Sequence, residues 1–513
     1  MNDIDKRFSN TNEAYKPLYE KDGRIKYFIK LLEKKGFIVQ EGSLQYIDIL
    51  KLVSEGKSST ALGNIVGAPY ATYLLPPAPN QMPSPGQRPP KGYEPHNPNN
   101  YPPNLDFVMP GLHYKLRPDE AIVLIGQTPP PSVYFCFRSY LALIENKPEK
   151  DYRDAVTAGD CCTGFYHFIG ASMGDQINNY SIWTDNTPYG TPGKPFDTST
   201  IIITTADKRI NKYMRDALKD SGFSPGIMNN DNIPIELVNM GWEKGKDHFS
   251  FVMRANIFQD PVVGWDYIYN MEKYFTVLRI TPKKPYSPSH PWPIRALKAK
   301  ETCTTEFQVI PTARDTLDYL RNQIISKYRN PEYDAIDLDF NLAILDNYEG
   351  ILQDTNVWID NRDTIYVKTE SFKLASDDDF LIVYGVNNTQ TGFATFINVS
   401  LYGDELWNGV AGTVFTDVPQ YPADEYFHEY DKKSKNYYVV KMARRTTEGN
   451  EIIIPYSTGN PKGSAYGVDN NQKVFLVIRM YLNQETKVAS APFDIIWGHA
   501  ILFTKKKRHY LDY

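Results

Sequence analysis

Charged and amide side chains sit inside otherwise apolar, strand-like runs at several places in the chain. Arg138 lies in Phe135-Cys136-Phe137-Arg138-Ser139-Tyr140, and Arg254 in Phe251-Val252-Met253-Arg254-Ala255-Asn256. Arg479 lies in Phe475-Leu476-Val477-Ile478-Arg479-Met480-Tyr481. Arg362-Asp363 opens Thr364-Ile365-Tyr366-Val367, and Asn387-Asn388 closes Val383-Tyr384-Gly385-Val386. Alternation along a strand can turn any one of these to solvent. Recurrence through one chain raises the expectation that at least one lines a cavity. A buried guanidinium there needs a carboxylate, a carbonyl or a ligand anion. Arg138, Arg254, Arg362, Asn387 and Arg479 are therefore the candidate ligand-binding residues, for an anionic or carbonyl-containing compound. Tyr140 and Tyr402 are candidate hydrogen-bond donors or acid/base groups. Asp363 is expected to orient an arginine.

Other motifs carry less. Gly170-Ala171-Ser172-Met173-Gly174 matches the nucleophile-elbow pattern, which would make Ser172 the nucleophile of a serine hydrolase. The elbow needs a helix after the serine. Here Asp175-Gln176-Ile177-Asn178-Asn179 is polar and short, and strand-like Tyr180–Thr184 follows, so a glycine-bracketed turn is the plainer reading. Asp337-Leu338-Asp339-Phe340-Asn341 begins like a calcium loop, but Leu342 stands where the glycine is needed and Tyr348 where the glutamate is needed. The eight histidines are scattered without ligand spacing, and no phosphate-cradling glycine loop occurs. No metal and no cofactor is expected. Of the four cysteines, Cys161 and Cys162 are adjacent but form no C-x-x-C pair, and they read as small buried hydrophobes.

The elements that must position these residues show a repeat. Asp119-Glu120, the run Ala121–Ile125, Gly126, a polar turn and an aromatic strand Tyr134–Leu141 follow in order. Asp378-Asp379, Phe380–Tyr384, Gly385, a polar turn and Phe393–Tyr402 repeat that order. This predicts two related β-rich units, with 121–125 and 133–141 matching 380–384 and 393–402 as antiparallel pairs.

Around that repeat the chain divides into four stretches. Residues 1–103 read as a helical preface, with Ile25, Phe28, Ile29 and Leu32 on one face, followed by a proline-rich strap over 76–103. Residues 104–281 form the first β-rich unit, interrupted by a helix that Asp207 caps and Gly222 ends. Residues 282–356 hold a proline-rich linker and a helix over 313–328 behind Thr312. Residues 357–513 form the second β-rich unit, ending in a basic run at Lys505–Arg508 that reads as a solvated terminus. The fold class expected is α+β, predominantly β: two antiparallel β-sandwich-like units with a few helices and an N-terminal helical extension.

With 513 residues the chain can bury several cores. A net charge of −5 gives no bulk attraction to nucleic acid or to an anionic membrane. No run approaches the roughly 18 apolar residues that span a bilayer. Few cysteines and no apolar leader at Met1–Arg7 imply a cytoplasmic setting. The 37 Tyr and 25 Phe supply the burial that disordered chains lack.

Leu116–Ala121, the Tyr134–Leu141 strand, Ser172–Asp175, the Thr204–Gly222 strand and helix, Asn361–Thr364 and Val383–Phe396 together resemble an uncharacterised protein family of bacteria, extending to fungi and plants. The resemblance covers most of 105–504 and implies two β-sandwich units. It carries over no catalytic residue. The function expected is binding of a small molecule in the cleft between the units, with or without metal-independent turnover. The rival is a structural or interaction protein using a Tyr-rich β surface. A homo-oligomer is compatible with either.

Overall fold

The computed structural model describes residues 22–506, apart from 56–57, 59, 82–112, 148–149, 151–156, 159–165, 244, 288, 329–331, 344–345, 417–421, 428–433, 458–464 and 471. Most of the proline-rich strap, Cys161, Cys162 and the tail beyond 506 lie outside the described residues.

The first half builds one eleven-stranded sheet. Its strands are β1 (Phe37–Ile47), β2 (Tyr70–Leu74), β3 (Ala121–Gln127), β4 (Ser132–Glu145), β5 (Thr157–Ala158), β6 (Tyr166–Ser172), β7 (Ile177–Asn178), β8 (Ser199–Thr205), β9 (Met228–Asn232), β10 (His248–Phe258) and β11 (Phe275–Pro282). They lie in the order β5-β6-β4-β10-β2-β1-β11-β3-β8-β9, with β7 also on β4. Pairing is antiparallel except between β8 and β9, which the helix Lys208–Asp220 connects. Asp207 caps that helix through Arg209 N and Ile210 N.

The sheet folds over on itself at β1. Phe37–Gly42 pairs with β11 and Ser43–Ile47 pairs with β2, so one strand serves both halves. Gly42 stands at the changeover, where a Cβ would come within 2.8 Å of Leu74 O. Ile122 and Leu124 of β3 face the core between the two halves, with Phe137, Phe251 and Val277. Ala121, Val123 and Ile125 face the opposite way, against the helices Gly23–Lys34 and Lys208–Asp220. Both faces of β3 are thus buried, which is why its sequence is continuously apolar rather than alternating.

The second half is a sandwich. Its strands are β12 (Tyr333–Leu338), β13 (Phe340–Leu342), β14 (Thr364–Thr369), β15 (Phe372–Lys373), β16 (Phe380–Val386), β17 (Phe396–Gly403), β18 (Asn408–Phe415), β19 (Tyr437–Ala443), β20 (Ile452–Ile453), β21 (Lys473–Tyr481) and β22 (His499–Lys505). One sheet runs β12-β22-β16-β19-β20 and the other β13-β14-β21-β17-β18, with β15 also on β21. Val367, Val399 and Ile478 of one sheet meet Leu381, Val383 and Val440 of the other in a shared core. The helix Ala313–Lys327 covers the outer face of the first of these sheets through Leu317, Leu320 and Ile324. The fold is α+β and predominantly β.

Three expectations are corrected. Residues after the helix Gly23–Lys34 are not a helical preface alone: β1 and β2 lie in the middle of the first sheet. Tyr180–Thr184 is a turn rather than a strand, because Asn178, Ser181, Thr184 and Thr187 hydrogen-bond locally to the backbone. The strand pairs expected to repeat, 121–125 with 133–141 and 380–384 with 393–402, do not form antiparallel pairs. β3 pairs with β8 and β11 while β4 pairs with β6, β7 and β10. Likewise β16 pairs with β19 and β22 while β17 pairs with β18 and β21. Each of these strands is buried on both faces and takes separate neighbours, so the connecting turn carries the chain across the core.

Candidate functional site

β2-β10-β4 and β14-β21-β17 carry the same polar groups in the same register. Arg254 on β10 lies opposite Tyr70 of β2 and opposite Cys136 of β4, four positions before Tyr140. Arg479 on β21 lies opposite Tyr366 of β14 and opposite Asn398 of β17, four positions before Tyr402. Each guanidinium is therefore flanked by two tyrosines. Arg254 Cζ is 6.0 Å from the Tyr70 ring and 5.4 Å from the Tyr140 ring. Arg479 Cζ is 5.4 Å from the Tyr366 ring and 5.1 Å from the Tyr402 ring.

The hydrogen bonds match as well. Arg254 Nη1 donates to Tyr140 Oη at 2.5 Å and Nη2 to Ile359 O at 2.7 Å. Arg479 Nη1 donates to Tyr402 Oη and to Asn398 Oδ1, and Nη2 donates to Gly63 O at 2.6 Å. Both carbonyls belong to residues in the left-handed region: Ile359 (φ 57) follows Trp358 (φ 55), and Gly63 (φ 66) follows Leu62 (φ 53). For a β-branched residue such as Ile359 that conformation is strained, and strain of this kind persists only where the surroundings enforce it. Gly170 allows the close approach, since a Cβ there would lie 2.7 Å from Ile359 N.

Both arginines line a cavity of about 80 Å³ between the first sheet and the second sandwich. Phe168, Trp358, Trp407 and Phe475 supply much of its apolar wall. Lys368 Nζ reaches it over the Phe475 and Trp407 rings, at 4.7 and 5.7 Å from their centroids. His113 also lines it, buried and with neither ring nitrogen bonded to a described residue. Burial drives the His113 pKa down to about 3, so its ring is neutral near pH 7.

No described carboxylate forms an ion pair with Arg254 or Arg479. Burial works against the charge of each guanidinium, the surrounding tyrosines favour it, and in both the pKa ends above its ordinary value. Burial also raises the phenols of Tyr140 and Tyr402, which stay protonated near neutral pH. Tyr140 Oη donates to Asp360 O and Tyr402 Oη donates to Asn64 O. The two hydroxyls thus accept from an arginine and donate to the main chain, and serve here as anchors. The Asp360 carboxylate accepts from Ser172 N at 2.6 Å and Ser172 Oγ at 2.9 Å, and burial raises its pKa to about 6.

The other sequence candidates lie elsewhere. Arg138 pairs with Asp231 at 3.2 Å and donates to Asn232 O. Arg362 is buried and holds Asp175 at 2.7 Å, Asp346 at 2.5 Å and Lys298 O at 2.7 Å. Asp363 orients no arginine. It accepts from Tyr134 Oη and Asn178 Nδ2, both at 2.9 Å, because its side chain turns toward β4 and β7. Asn387 caps the short helix Asn388–Thr391 through Thr389 N. Ser172 is fully buried, and its hydroxyl donates to Asp360 and Gly174 O rather than to a histidine. Sequence reasoning missed His113, Lys368, Tyr70, Tyr366 and Trp407. The Tyr366-for-Tyr70 match becomes visible only once strand register is known.

No family model and no curated protein matches the chain. Among solved structures, it is similar to an uncharacterised protein from Burkholderia cenocepacia, at 8% identity and a TM-score of 0.34, over 98% of this chain and 93% of that one. It is also similar to the VPA0106 protein from Vibrio parahaemolyticus, at 10% identity and a TM-score of 0.31, over 77% of this chain and 88% of that one. Among the described residues no helix is long and apolar enough to cross a membrane.

Proposed function

We propose that the chain binds a small organic anion in the cavity that Arg254 and Arg479 share. One observation carries this reading: two buried guanidiniums line one cavity, and no described carboxylate forms an ion pair with either, Asp360 acting on Arg254 only through space. Lys368 adds a third cation and His113 a buried ring bonded to no described residue. A carboxylate or phosphate between the arginines would supply the missing charge, and the stacked indoles would cover its organic part. The matched registers around Arg254 and Arg479 support a further element of the reading, that the two β-rich units are related copies whose equivalent strands enclose the site.

A second reading has its own support. Each guanidinium already holds a carbonyl from a distant segment, Ile359 O or Gly63 O. On that reading the pair acts as a clamp between units and turns nothing over.

Calorimetric titration of the full chain with oxalate, malonate and inorganic phosphate separates the two. Anion binding is expected, and Lys368→Met is expected to weaken it about tenfold while leaving the unfolding midpoint in place. Absence of binding by all three probes, together with no small anion released from the purified protein on denaturation, leaves the clamp as the reading.

A further inference from the structure

A second cavity, of about 240 Å³, lies between the turn after β6, the end of β9 and the segment 293–298. It is polar where the first is apolar. Gln176, Asn229, Asn232 and Trp183 line it, with Arg138 and Tyr348. Two of its ions are already matched: Arg138 pairs with Asp231, and Asp175 pairs with Arg362. Lys298 gives its ammonium to Lys487 O, and Arg295 is exposed to solvent.

The residues that line it keep hydrogen-bonding capacity of both kinds. Arg138 Nε is a buried donor without a partner among the described residues. Gln176 Oε1 and Asn232 Oδ1 are buried acceptors without partners among them. Arg138 is 6% exposed and Gln176 2% exposed. The Gln176 amide cannot be turned over to relieve this, because its Nε2 already donates to Tyr140 Oη at 2.9 Å. Buried polar atoms left unmet are costly, and a lone pattern of one donor and two acceptors calls for an occupant.

We infer that this cavity binds a neutral polyhydroxylated molecule, a sugar or polyol. A hydroxyl both donates and accepts, so a few hydroxyls on one ring meet Arg138 Nε and the two amide oxygens together. An anion would be drawn to Arg138, Arg295 and Lys298 but would face the two amide oxygens unfavourably. The space equals on the order of eight waters' share of liquid, and Trp183 offers an aromatic face for the C–H side of a ring. The inference is independent of the anion site.

The test is calorimetric titration of the full chain with D-glucose, D-galactose, myo-inositol, glycerol and, as a charged control, inorganic phosphate. At least one neutral probe is expected to bind at millimolar concentration. Asn232→Ala should weaken that binding about tenfold and leave the unfolding midpoint unchanged, since the Asn232 side chain makes no hydrogen bond to the described protein. Trp183→Leu gives a second, independent reduction, and Lys368→Met none. The inference is overturned if no neutral probe binds, which would leave water as the occupant. It is overturned equally if phosphate competes the neutral probe away, or if both variants bind like the parent.

Discussion

Trp358 lies flat on Trp407, with ring centroids 4.2 Å apart and planes 9° from parallel. Both residues hold positive φ, 55° and 50°. Two indoles thus meet on two left-handed backbones, one leading into β14 and one leading into β18. The stack compensates for conformations that a large side chain resists.

That balance makes the order of substitutions unusual. Trp358→Ala removes the stack and keeps the strain, and should cost about 2–4 kcal/mol. Trp358→Gly removes the stack and the strain together, and should cost about 1 kcal/mol less than alanine. Urea unfolding of the two variants measures the difference. Glycine proving worse than alanine would show that the backbone at 358 is not strained.

Arg362 ties three segments together through Asp175, Asp346 and Lys298 O. Arg362→Ala leaves both carboxylates without this partner and should lower stability by about 2–4 kcal/mol. An unchanged midpoint in chemical denaturation would remove the clamp from the account.

Glu306 is fully buried and accepts from Thr391 Oγ1, Ile496 N and Asn388 Nδ2, with no described cation paired to it. Burial raises its pKa to about 7, partly opposed by those hydrogen bonds. The folded state therefore binds more protons than the unfolded state between the ordinary value of 4.5 and about 7. Stability must fall as pH rises through that window, by about 3 kcal/mol from this group. Buried Asp360 and Asp363, each raised to about 6, act with the same sign. Glu306→Gln should flatten the upper part of the slope, read from denaturation midpoints across roughly pH 5 to 8.

Ser172 should not react as a nucleophile. Its hydroxyl is buried, donates to Asp360, and is followed by the β7 strand rather than by a helix. A fluorophosphonate probe is expected to leave it unlabelled. Stoichiometric labelling at Ser172, located by peptide mapping, would reverse this and restore the hydrolase reading.

Much of the β-structure was legible because its strands are apolar on both faces or bracketed by turn residues. The helix Lys208–Asp220 was legible from Asp207 and Gly222. β1 was not, because Gln40-Glu41-Gly42-Ser43 interrupts its apolar run where the strand changes partners. The arginines stood out as charges in apolar strands, and Arg254, Arg362 and Arg479 are indeed buried. Their partners did not stand out. Tyr140 is 114 residues from Arg254, and Gly63 is 416 from Arg479. Local pattern carries no information about pairing at that range. The matched order of residues 119–141 and 378–402 suggested two paired strands in each stretch, but sequence order alone cannot distinguish a hairpin from a crossing between layers.

The shared strand β1 also sets a schedule for synthesis. Phe37 faces Pro282, and Gly42 faces Val277. Of the described strands of its sheet β1 is made first, and one of its edges stays unpaired until β11, the last of them, leaves the ribosome. An unpaired edge held that long is open to wrong partners, and closure over such a sequence separation is slow. The helix Gly23–Lys34, made just before β1, packs against one face of it and can cover that apolar face meanwhile. Shortening that helix should therefore be felt first as lost yield of folded chain during translation, before any loss of stability in the finished protein.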